Sequence, residues 1–258
     1  MSQSTTDRIS FVTNGTPEAD TAAARLQARY GDHRLEDATV VVALGGDGLM
    51  LQTLHRTMRR DIAVYGMNFG SVGFMMNGFS EHDLDQRLAA AQPTRIFPLS
   101  MTVLDTSGKT QTALALNEVS LFRSTYQAAK IQIIVDGETR LDELICDGVL
   151  LSTPAGSTAY NLSAHGPIIP IEAELLALTP ISPFRPRRWR GAILSNRAEV
   201  KFITREAAKR PVSAVADNVE LQNVLEVTVT EDRTHGVTLL FDPGTSLEER
   251  VLTEQFKF

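Results

Sequence analysis

The sequence predicts an α/β domain of the doubly wound, Rossmann-like type over residues 1–92 and a mainly β domain of packed sheets over residues 93–258. Strands and helices alternate in the first part, whereas short β-rich runs separated by turn signals fill the second. With 258 residues, 43% of them hydrophobic, the chain is long enough to bury two cores. We expect the C-terminal tail to return to the first domain.

The first domain is predicted from alternating strand and helix signals. Residues 8–12 form a short apolar run, and Thr16-Pro17 marks the start of a helix through residue 28. Residues 38–44 are almost continuously apolar and β-branched, which is typical of a central parallel strand. A helix with apolar residues at helical spacing follows, then a strand over residues 62–67. A helix capped by Ser80 completes the domain at residue 90.

The second domain is predicted from β-rich runs that turn signals such as Ser107-Gly108 and Asp136-Gly137 keep apart. So many short strands predict sheets packed face to face. The runs cover residues 96–104, 113–122, 130–135, 149–152, 192–194, 200–204, 212–216, 225–229 and 237–241.

Composition excludes several classes of protein. The chain has 25 basic and 31 acidic residues, a net charge of −6, so we expect no nucleic-acid partner. A single cysteine, Cys146, excludes an intramolecular disulfide and is typical of the reducing cytosol. The N-terminus lacks a signal-peptide pattern, and no apolar run approaches the roughly 18 residues that span a membrane. We therefore expect a cytoplasmic protein without a membrane partner.

Gly45-Gly46-Asp47-Gly48 lies between a predicted buried strand and a helix. Glycines there let a ligand approach the backbone, and free amides favour phosphate oxygens. The segment is neither a Walker loop nor the dinucleotide fingerprint, because both spacings are absent. Asp47 is a candidate to accept a proton from an attacking hydroxyl or to hold the magnesium of a triphosphate. The alternative is an aspartate that only caps the helix.

Two further segments carry polar or aromatic candidates. Residues 68–74 follow the next strand, at the same edge of the sheet, where open α/β folds bind ligands. Phe74 either stacks on a base or closes the core.

Asn117-Glu118 interrupts an apolar β run, so both side chains reach one ligand only at a strand end or irregularity. Their amide and carboxylate are suited to ribose hydroxyls and an adenine edge; a solvated turn is the alternative.

The ten residues 151–160, with Asp147-Gly148 just before them, are the most distinctive string in the chain. Pro154 and Gly156 predict a turn, and Ser157, Thr158 and Tyr160 supply hydroxyl groups that can read a base edge. An ordinary turn rich in serine and threonine is the alternative.

Taken in order and spacing, GGDG, NFGSVGF, NE and DGVLLSTPAGSTAYNLSAHGPI resemble the motifs of the NAD kinase family. The resemblance is strongest over residues 40–169. GGDG is shared with diacylglycerol kinase, sphingosine kinase and phosphofructokinase relatives, whereas NE and TPAGSTAY are typical of the NAD kinases alone. The resemblance implies transfer of the terminal phosphoryl group of ATP, with Mg²⁺ or another divalent cation, to the 2′-hydroxyl of the adenosine ribose of NAD.

The resemblance also implies roles for individual residues. Asp47 corresponds to the catalytic aspartate, and the glycines beside it to the loop that binds the ATP phosphates: Gly45, Gly46 and Gly48. No fixed protein site for the metal is implied; Mg²⁺ is carried with ATP, near Asp47. Asn117 and Glu118 correspond to the pair that holds the adenosine ribose and adenine.

The remaining NAD contacts are implied along the distinctive string. Thr158 and Ala159 correspond to the loop that reads adenine, whereas Asp147, Tyr160 and Ser163 lie toward the nicotinamide. The full set expected to bind NAD is Asp47, Gly48, Phe74, Asn117, Glu118, Asp147, Ala155, Thr158, Ala159, Tyr160, Asn161, Leu162 and Ser163. Family members complete this end of the site with residues of a neighbouring subunit, which implies a homodimer or homotetramer.

The chain departs from the family pattern at three places. Leu49 and Ala155 stand where many relatives carry a residue with a hydroxyl group, and Ala216-Asp217-Asn218 replaces the usual Asp-Gly pair. The role of Asp217 is left open between a site residue and a turn aspartate. The basic stretch over residues 184–190 is predicted to be a solvated loop, and the five histidines show no zinc-ligand spacing.

Two other functions remain open on the residues alone. A GGDG-type lipid kinase would phosphorylate diacylglycerol or a sphingoid base, but it leaves TPAGSTAY without a role. A catalytically silent NAD(P)-binding sensor would have the same pocket as the kinase.

Overall fold

The computed structural model describes residues 8–60, 62–69 and 73–256, which form two compact units. The first unit contains the described residues up to Ile96 together with His235–Thr253. The second contains Phe97–Thr234 and the described residues after Thr253.

The first unit begins with alternating strands and helices. Thr16 accepts a hydrogen bond from the amide of Ala19, and Pro17 occupies the first turn, as the sequence predicts for the first helix. The elements are β1 (Ile9–Thr13), α1 (Pro17–Tyr30), β2 (Val40–Gly45), α2 (Asp47–Thr57), β3 (Ala63–Asn68), α3 (Leu84–Ala90) and β4 (Gln92–Ile96).

The second unit is almost entirely β structure. Its strands are β5 (Leu99–Asp105), β6 (Thr110–Ala115), β7 (Glu118–Arg123), β8 (Ala129–Val135), β9 (Glu138–Cys146), β10 (Gly148–Ser152), β11 (Leu175–Ile181), β12 (Ala192–Ser195), β13 (Val200–Thr204), β14 (Val212–Ala216), β15 (Val219–Leu221) and β16 (Val224–Glu231). A 3-10 turn (Ala155–Thr158) and the short helix α4 (Tyr160–Ser163) follow β10.

The chain then returns to the first unit through β17 (Val237–Phe241) and α5 (Leu247–Glu254). β17 lies between β3 and β4, so the sheet has the order β1-β2-β3-β17-β4. The first four of these strands are parallel to one another, and β4 pairs with β17 in the antiparallel sense at the edge.

Helices cover both faces of this sheet. Val42 and Leu44 of β2 lie in one core cluster with residues of α1 and α3, such as Leu26 and Leu84. The alternate β2 residues, including Val41, are equally buried and point to the other face. α2 contacts β2 and β3, and its own buried residues lie outside that cluster. The predicted α/β class is therefore confirmed.

In the second unit, two six-stranded sheets share one core. The orders are β12-β11-β10-β7-β14-β15 and β6-β5-β16-β13-β8-β9. Leu121 and Leu151 from the first sheet and Ile131 and Phe202 from the second belong to one buried cluster. The prediction of packed sheets is confirmed.

Several predicted elements differ from the structure. Ser80 does not cap α3, which begins at Leu84 after Asp83; the hydroxyl of Tyr30 accepts the Leu84 amide instead. Because that partner lies in α1, local sequence does not reveal it. The run over residues 96–104 divides between β4 and β5, and that over 113–122 divides at Leu116-Asn117. β9, β11 and β15 were not predicted.

A polar network joins three parts of the first unit. The hydroxyl of Tyr65, on β3, donates to Asp242 Oδ1 at 2.6 Å. Arg87, on α3, bonds both carboxylate oxygens of Asp242, which directly follows β17. Arg87 also donates to the Gly78 carbonyl. The returning segment is thus held to the N-terminal part of the unit.

We expect Arg87→Met to destabilise the protein by about 2 kcal/mol, because it leaves a half-buried carboxylate without its cation. Thermal unfolding should show Tm lowered by several degrees. Glu36→Gln is the control, since the Arg34–Glu36 pair is exposed and its loss should leave Tm unchanged. Equal Tm values for Arg87→Met and wild type would contradict this role.

Candidate functional site

Asp47 lies at the turn between β2 and α2, and its carboxylate is fixed by the segment that follows β3. Oδ2 accepts the Phe74 amide at 2.6 Å and Oδ1 accepts the Met75 amide at 2.8 Å. Gly46 is the residue that precedes the helix, with no side-chain cap. Asp47 is therefore not a simple helix cap, and the two segments at this edge of the sheet meet at its side chain.

The glycines beside Asp47 serve different purposes. A β-carbon on Gly45 would lie 2.7 Å from Leu49 Cδ2, so this position must stay small. Apart from its neighbours in the chain and the backbone of α2, no described residue lies within 4 Å of a β-carbon built on Gly46 or Gly48. Their backbone is open to a ligand at the N-terminus of an 11-residue helix, where phosphate is favoured.

The motif that follows β3 is described only in part. Asn68, Phe69, Gly73 and Phe74 lie within the described residues, whereas Gly70, Ser71 and Val72 lie outside them. Phe74 is half-buried and contributes its backbone amide to Asp47. Its predicted stacking on a base stays a prediction.

Asn117 and Glu118 lie at a break between two strands, the kind of irregularity at which the sequence analysis expects both side chains to reach one ligand. β6 ends at Ala115 and β7 begins at Glu118. Asp217 holds this break: Oδ2 accepts the Leu116 amide at 2.7 Å, and Oδ1 accepts the Asn117 amide at 3.0 Å. Asp217 is thus a structural partner of the pair, a role that the sequence left open.

The distinctive string packs directly on this break. The Thr153 hydroxyl donates to the Leu116 carbonyl at 2.7 Å, and its amide donates to the Asn117 carbonyl at 2.9 Å. A β-carbon on Gly156 would collide with the Asn117 carbonyl. Two motifs about 35 residues apart in sequence therefore form one surface of the second unit.

Some residues of the string shape the loop and are not available to a ligand. Ser157 is fully buried; its hydroxyl donates to the Pro154 carbonyl and accepts the Ile169 amide. The Ser157 hydroxyl therefore serves the loop itself, and of the three hydroxyl groups that the sequence offers to a base edge, those of Thr158 and Tyr160 remain. Asn161 is also fully buried, with its amide group bonded to Ser157, Pro167 and Thr179.

The other predicted contacts differ in exposure. Ala155 is buried, with 7% of its surface exposed, so its side chain can offer a ligand only a methyl contact. Thr158, Ala159 and Leu162 are half-buried, and Ser163 is exposed. These four remain candidates to contact a ligand.

Tyr160 lies among aromatic and acidic groups. Its ring stacks on Phe122 with centroids 5.7 Å apart. Burial raises the pKa of Tyr160, and the charges of Glu118 and Asp147 raise it further. Asp147 Oδ1 accepts a hydrogen bond from Arg123 Nε at 2.6 Å. Phe122 and Arg123, for which the sequence predicts no role, also line a cavity of about 630 Å³, and none of the predicted NAD contacts lines that cavity.

Glu118 has the most perturbed carboxylate of the site. Burial, and then the negative charge of Asp217, raises its pKa from 4.5 to about 7. Its Oε2 is buried without a hydrogen-bond partner among the described residues. A buried acceptor without a donor is destabilising, which is typical of a group that awaits a ligand.

We expect Glu118→Gln to raise the stability of the ligand-free protein by about 2 kcal/mol at pH 8. The folded-state pKa lies above the unfolded one, so ionisation of Glu118 costs stability as pH rises from 4.5 to 7. The difference in Tm should therefore shrink toward pH 5. Glu172→Gln, at an exposed position, is the control. A difference in Tm that does not change with pH would show that ionisation of Glu118 is not its cause.

The structure also bears on residues for which the sequence predicts no chemical role. Burial raises the pKa of the Cys146 thiol to about 12, which disfavours a reactive thiolate. Across residues 8–60, 62–69 and 73–256, no group of three His, Cys, Asp or Glu could hold a metal ion.

Residues 184–190 lie in a mostly exposed loop between β11 and β12, as predicted. No described helix is long and apolar enough to cross a membrane.

Two solved structures resemble this fold. A yeast NADH kinase complexed with NADH superposes with a TM-score of 0.82 and 19% identity, covering 98% of this chain and 89% of that one. An NAD kinase from Archaeoglobus fulgidus in complex with ATP superposes with a TM-score of 0.75 and 23% identity, covering 95% and 96%. The chain therefore has the fold of the nicotinamide-nucleotide kinases.

Sequence comparison is more specific. Residues 116–238 match the ATP-NAD kinase C-terminal domain. The chain is 58% identical to an NAD kinase of Caulobacter vibrioides over 249 residues, 96% of either chain. It is 57% identical to an NAD kinase of Rhizobium meliloti over 248 residues, again 96% of either chain. The chain belongs to the NAD kinase family.

Proposed function

We propose that this enzyme transfers the terminal phosphoryl group of MgATP to the 2′-hydroxyl of the adenosine ribose of NAD, giving NADP. Family membership over nearly the full chain supports this function. The observation that carries it is the packing of TPAGSTAY on the Asn117-Glu118 break, with one Glu118 oxygen buried and without a donor in the described part of the chain. A lipid kinase would have no use for that surface.

Asp47 acts on the attacking hydroxyl in this proposal. Each carboxylate oxygen accepts one amide and keeps a lone pair for a further hydrogen bond. The 2′-oxygen forms a bond to the γ-phosphorus while the bond to the leaving ADP breaks, and the hydroxyl proton leaves through Asp47. A secondary hydroxyl needs this acceptor because it does not ionise at neutral pH.

The phosphates of ATP bind at the open backbone of Gly46 and Gly48, beside the N-terminus of α2. Gly45 keeps this turn tight by leaving room for Leu49. Mg²⁺ enters as part of MgATP and screens the phosphate charge during transfer.

Phe74 is one of the NAD contacts in this proposal. Asn117 and Glu118 bind the adenosine ribose and adenine through the amide and the carboxylate. Thr158 and Ala159 border adenine. The residues placed toward the nicotinamide or in backbone contact with NAD are Asp147, Ala155, Tyr160, Leu162 and Ser163, and Gly48 joins Asp47 at the ribose. Asn161 is fully buried and supports the loop that carries these residues.

The direct test is to incubate the purified protein with ATP, Mg²⁺ and NAD and to measure NADP. Diacylglycerol and a sphingoid base serve as competing acceptors under the same conditions. Steady NADP formation with no lipid phosphorylation supports the proposal. Tight NAD binding without turnover would identify a sensor instead, and turnover on a lipid alone would identify a lipid kinase.

We expect Asp47→Asn to lower kcat at least 100-fold, because the amide cannot take up the hydroxyl proton. The dissociation constant of NAD should change less than about threefold, since the other NAD contacts remain. Asp85→Asn, an exposed change in the same unit, is the control. Calorimetric titration and initial rates measure the two quantities; near-normal turnover in Asp47→Asn would remove Asp47 from the mechanism.

We expect Tyr160→Ala to raise the KM for NAD about tenfold, because it removes a ring that stacks on Phe122. Tyr160→Phe keeps the ring and should stay within about threefold of wild type. Initial rates at varied NAD concentration distinguish the two variants. An unchanged KM in Tyr160→Ala would argue against a contact with NAD.

Cellular place and assembly are part of the same proposal. We place the enzyme in the cytoplasm, where NAD and ATP are available to it. Cys146 is a free, buried thiol, which is typical of a protein in the reducing cytosol. We also propose a homodimer or homotetramer. Exposed Ile193 and Val219 lie on β12 and β15, the two edge strands of one sheet, which supports contacts between copies.

A further inference from the structure

Arg250 lies on the C-terminal helix α5, far in sequence from every motif considered above. Leu247 and Val251 of this helix are buried, which fixes the helix on the first unit. Arg250 Nε donates to the Thr245 carbonyl at 3.0 Å, and its guanidinium lies 5.5 Å from the centre of the Phe241 ring. The half-buried guanidinium therefore has a defined place.

The free end of this guanidinium contacts the segment that holds Asp47. Arg250 Nη1 donates to the Gly73 carbonyl at 3.0 Å and to the Phe74 carbonyl at 3.3 Å. The amides that follow these carbonyls in the chain belong to Phe74 and Met75, and both donate to the Asp47 carboxylate.

Arg250 and Asp47 thus bind the same two peptide groups at opposite ends. In a trans peptide the C=O and N–H point in opposite directions, so a cation at the oxygen and an anion at the hydrogen polarise the group in the same sense. Each hydrogen bond to Asp47 is then stronger than it would be with the peptide alone.

Gly73 makes this arrangement possible. A β-carbon at this position would lie 2.9 Å from Asp47 Oδ1 and 2.6 Å from Met76 Cγ. The backbone can therefore approach the carboxylate closely only without a side chain. The charges agree with the geometry: burial lowers the pKa of Arg250, and the carboxylates of Asp47 and Asp242 oppose that change.

We propose that Arg250 is a positioning residue for phosphoryl transfer, which fixes the Asp47 carboxylate through the Gly73–Phe74 and Phe74–Met75 peptide groups. This inference rests on the proposed function. It assigns the C-terminal helix a part in catalysis through an interaction with the backbone, with no contact between Arg250 and the substrate required.

The test compares Arg250→Ala, Arg250→Gln and Arg250→Lys with wild type in the NADP assay. Arg34→Ala, which removes an arginine with a side chain 83% exposed in the same unit, is the control and should match wild type. We expect Arg250→Ala to lower kcat 10- to 100-fold while the KM for NAD stays within about threefold. Lysine keeps the charge and should recover part of the loss, and guanidinium ion at millimolar concentration should partly restore Arg250→Ala.

The outcomes separate the inference from the proposed function. No NADP from wild type refutes the proposed function itself. With an active wild type, a kcat in Arg250→Ala and Arg250→Gln near that of wild type overturns the role of Arg250. A loss of kcat that follows a lowered Tm, with recovery neither by lysine nor by guanidinium, also overturns it in favour of a purely structural contact. Loss of kcat at an unchanged Tm, with recovery, supports it.

Discussion

The arrangement of both candidate sites depends on one constraint: backbone amides at a chain reversal need an acceptor when no strand lies opposite them. Aspartate carboxylates from distant segments meet this need. Asp47 accepts the amides of Phe74 and Met75, and Asp217 accepts those of Leu116 and Asn117. Each carboxylate thereby fixes a segment that regular secondary structure leaves unsupported, and the segment in turn fixes the carboxylate.

The two aspartates differ in what remains available to a ligand. Asp47 lies beside glycines with open backbone, so it combines a structural and a chemical role. Asp217 is committed to the break before β7, and its charge contributes to the raised pKa of the neighbouring Glu118. At Glu118, one buried carboxylate oxygen has no donor among the described residues, which destabilises the ionised form and suits a ligand rich in hydroxyl groups.

Much of the fold was predictable because its signals are local. The apolar run of β2, the Thr16-Pro17 start of α1 and the turn signals of the second unit act over a few residues. The predicted cap of α3 failed because the deciding contact comes from far along the chain: the hydroxyl of Tyr30, on α1, is the partner of the first amide of α3. Residue type also does not show that the Ser157 hydroxyl bonds within its own loop.

By itself, the sequence determined the fold class, the order of the motifs and their resemblance to the NAD kinases, since glycine-rich turns and residue identity are properties of short segments. Only the tertiary structure decided which polar groups meet. It shows that Asp217 accepts backbone amides at the Asn117-Glu118 break. It also shows that Arg250 donates to the peptide groups whose amides bind Asp47. Hydrogen bonds depend on distance and direction in space, and a separation of about 100 or 200 residues along the chain carries no information about either.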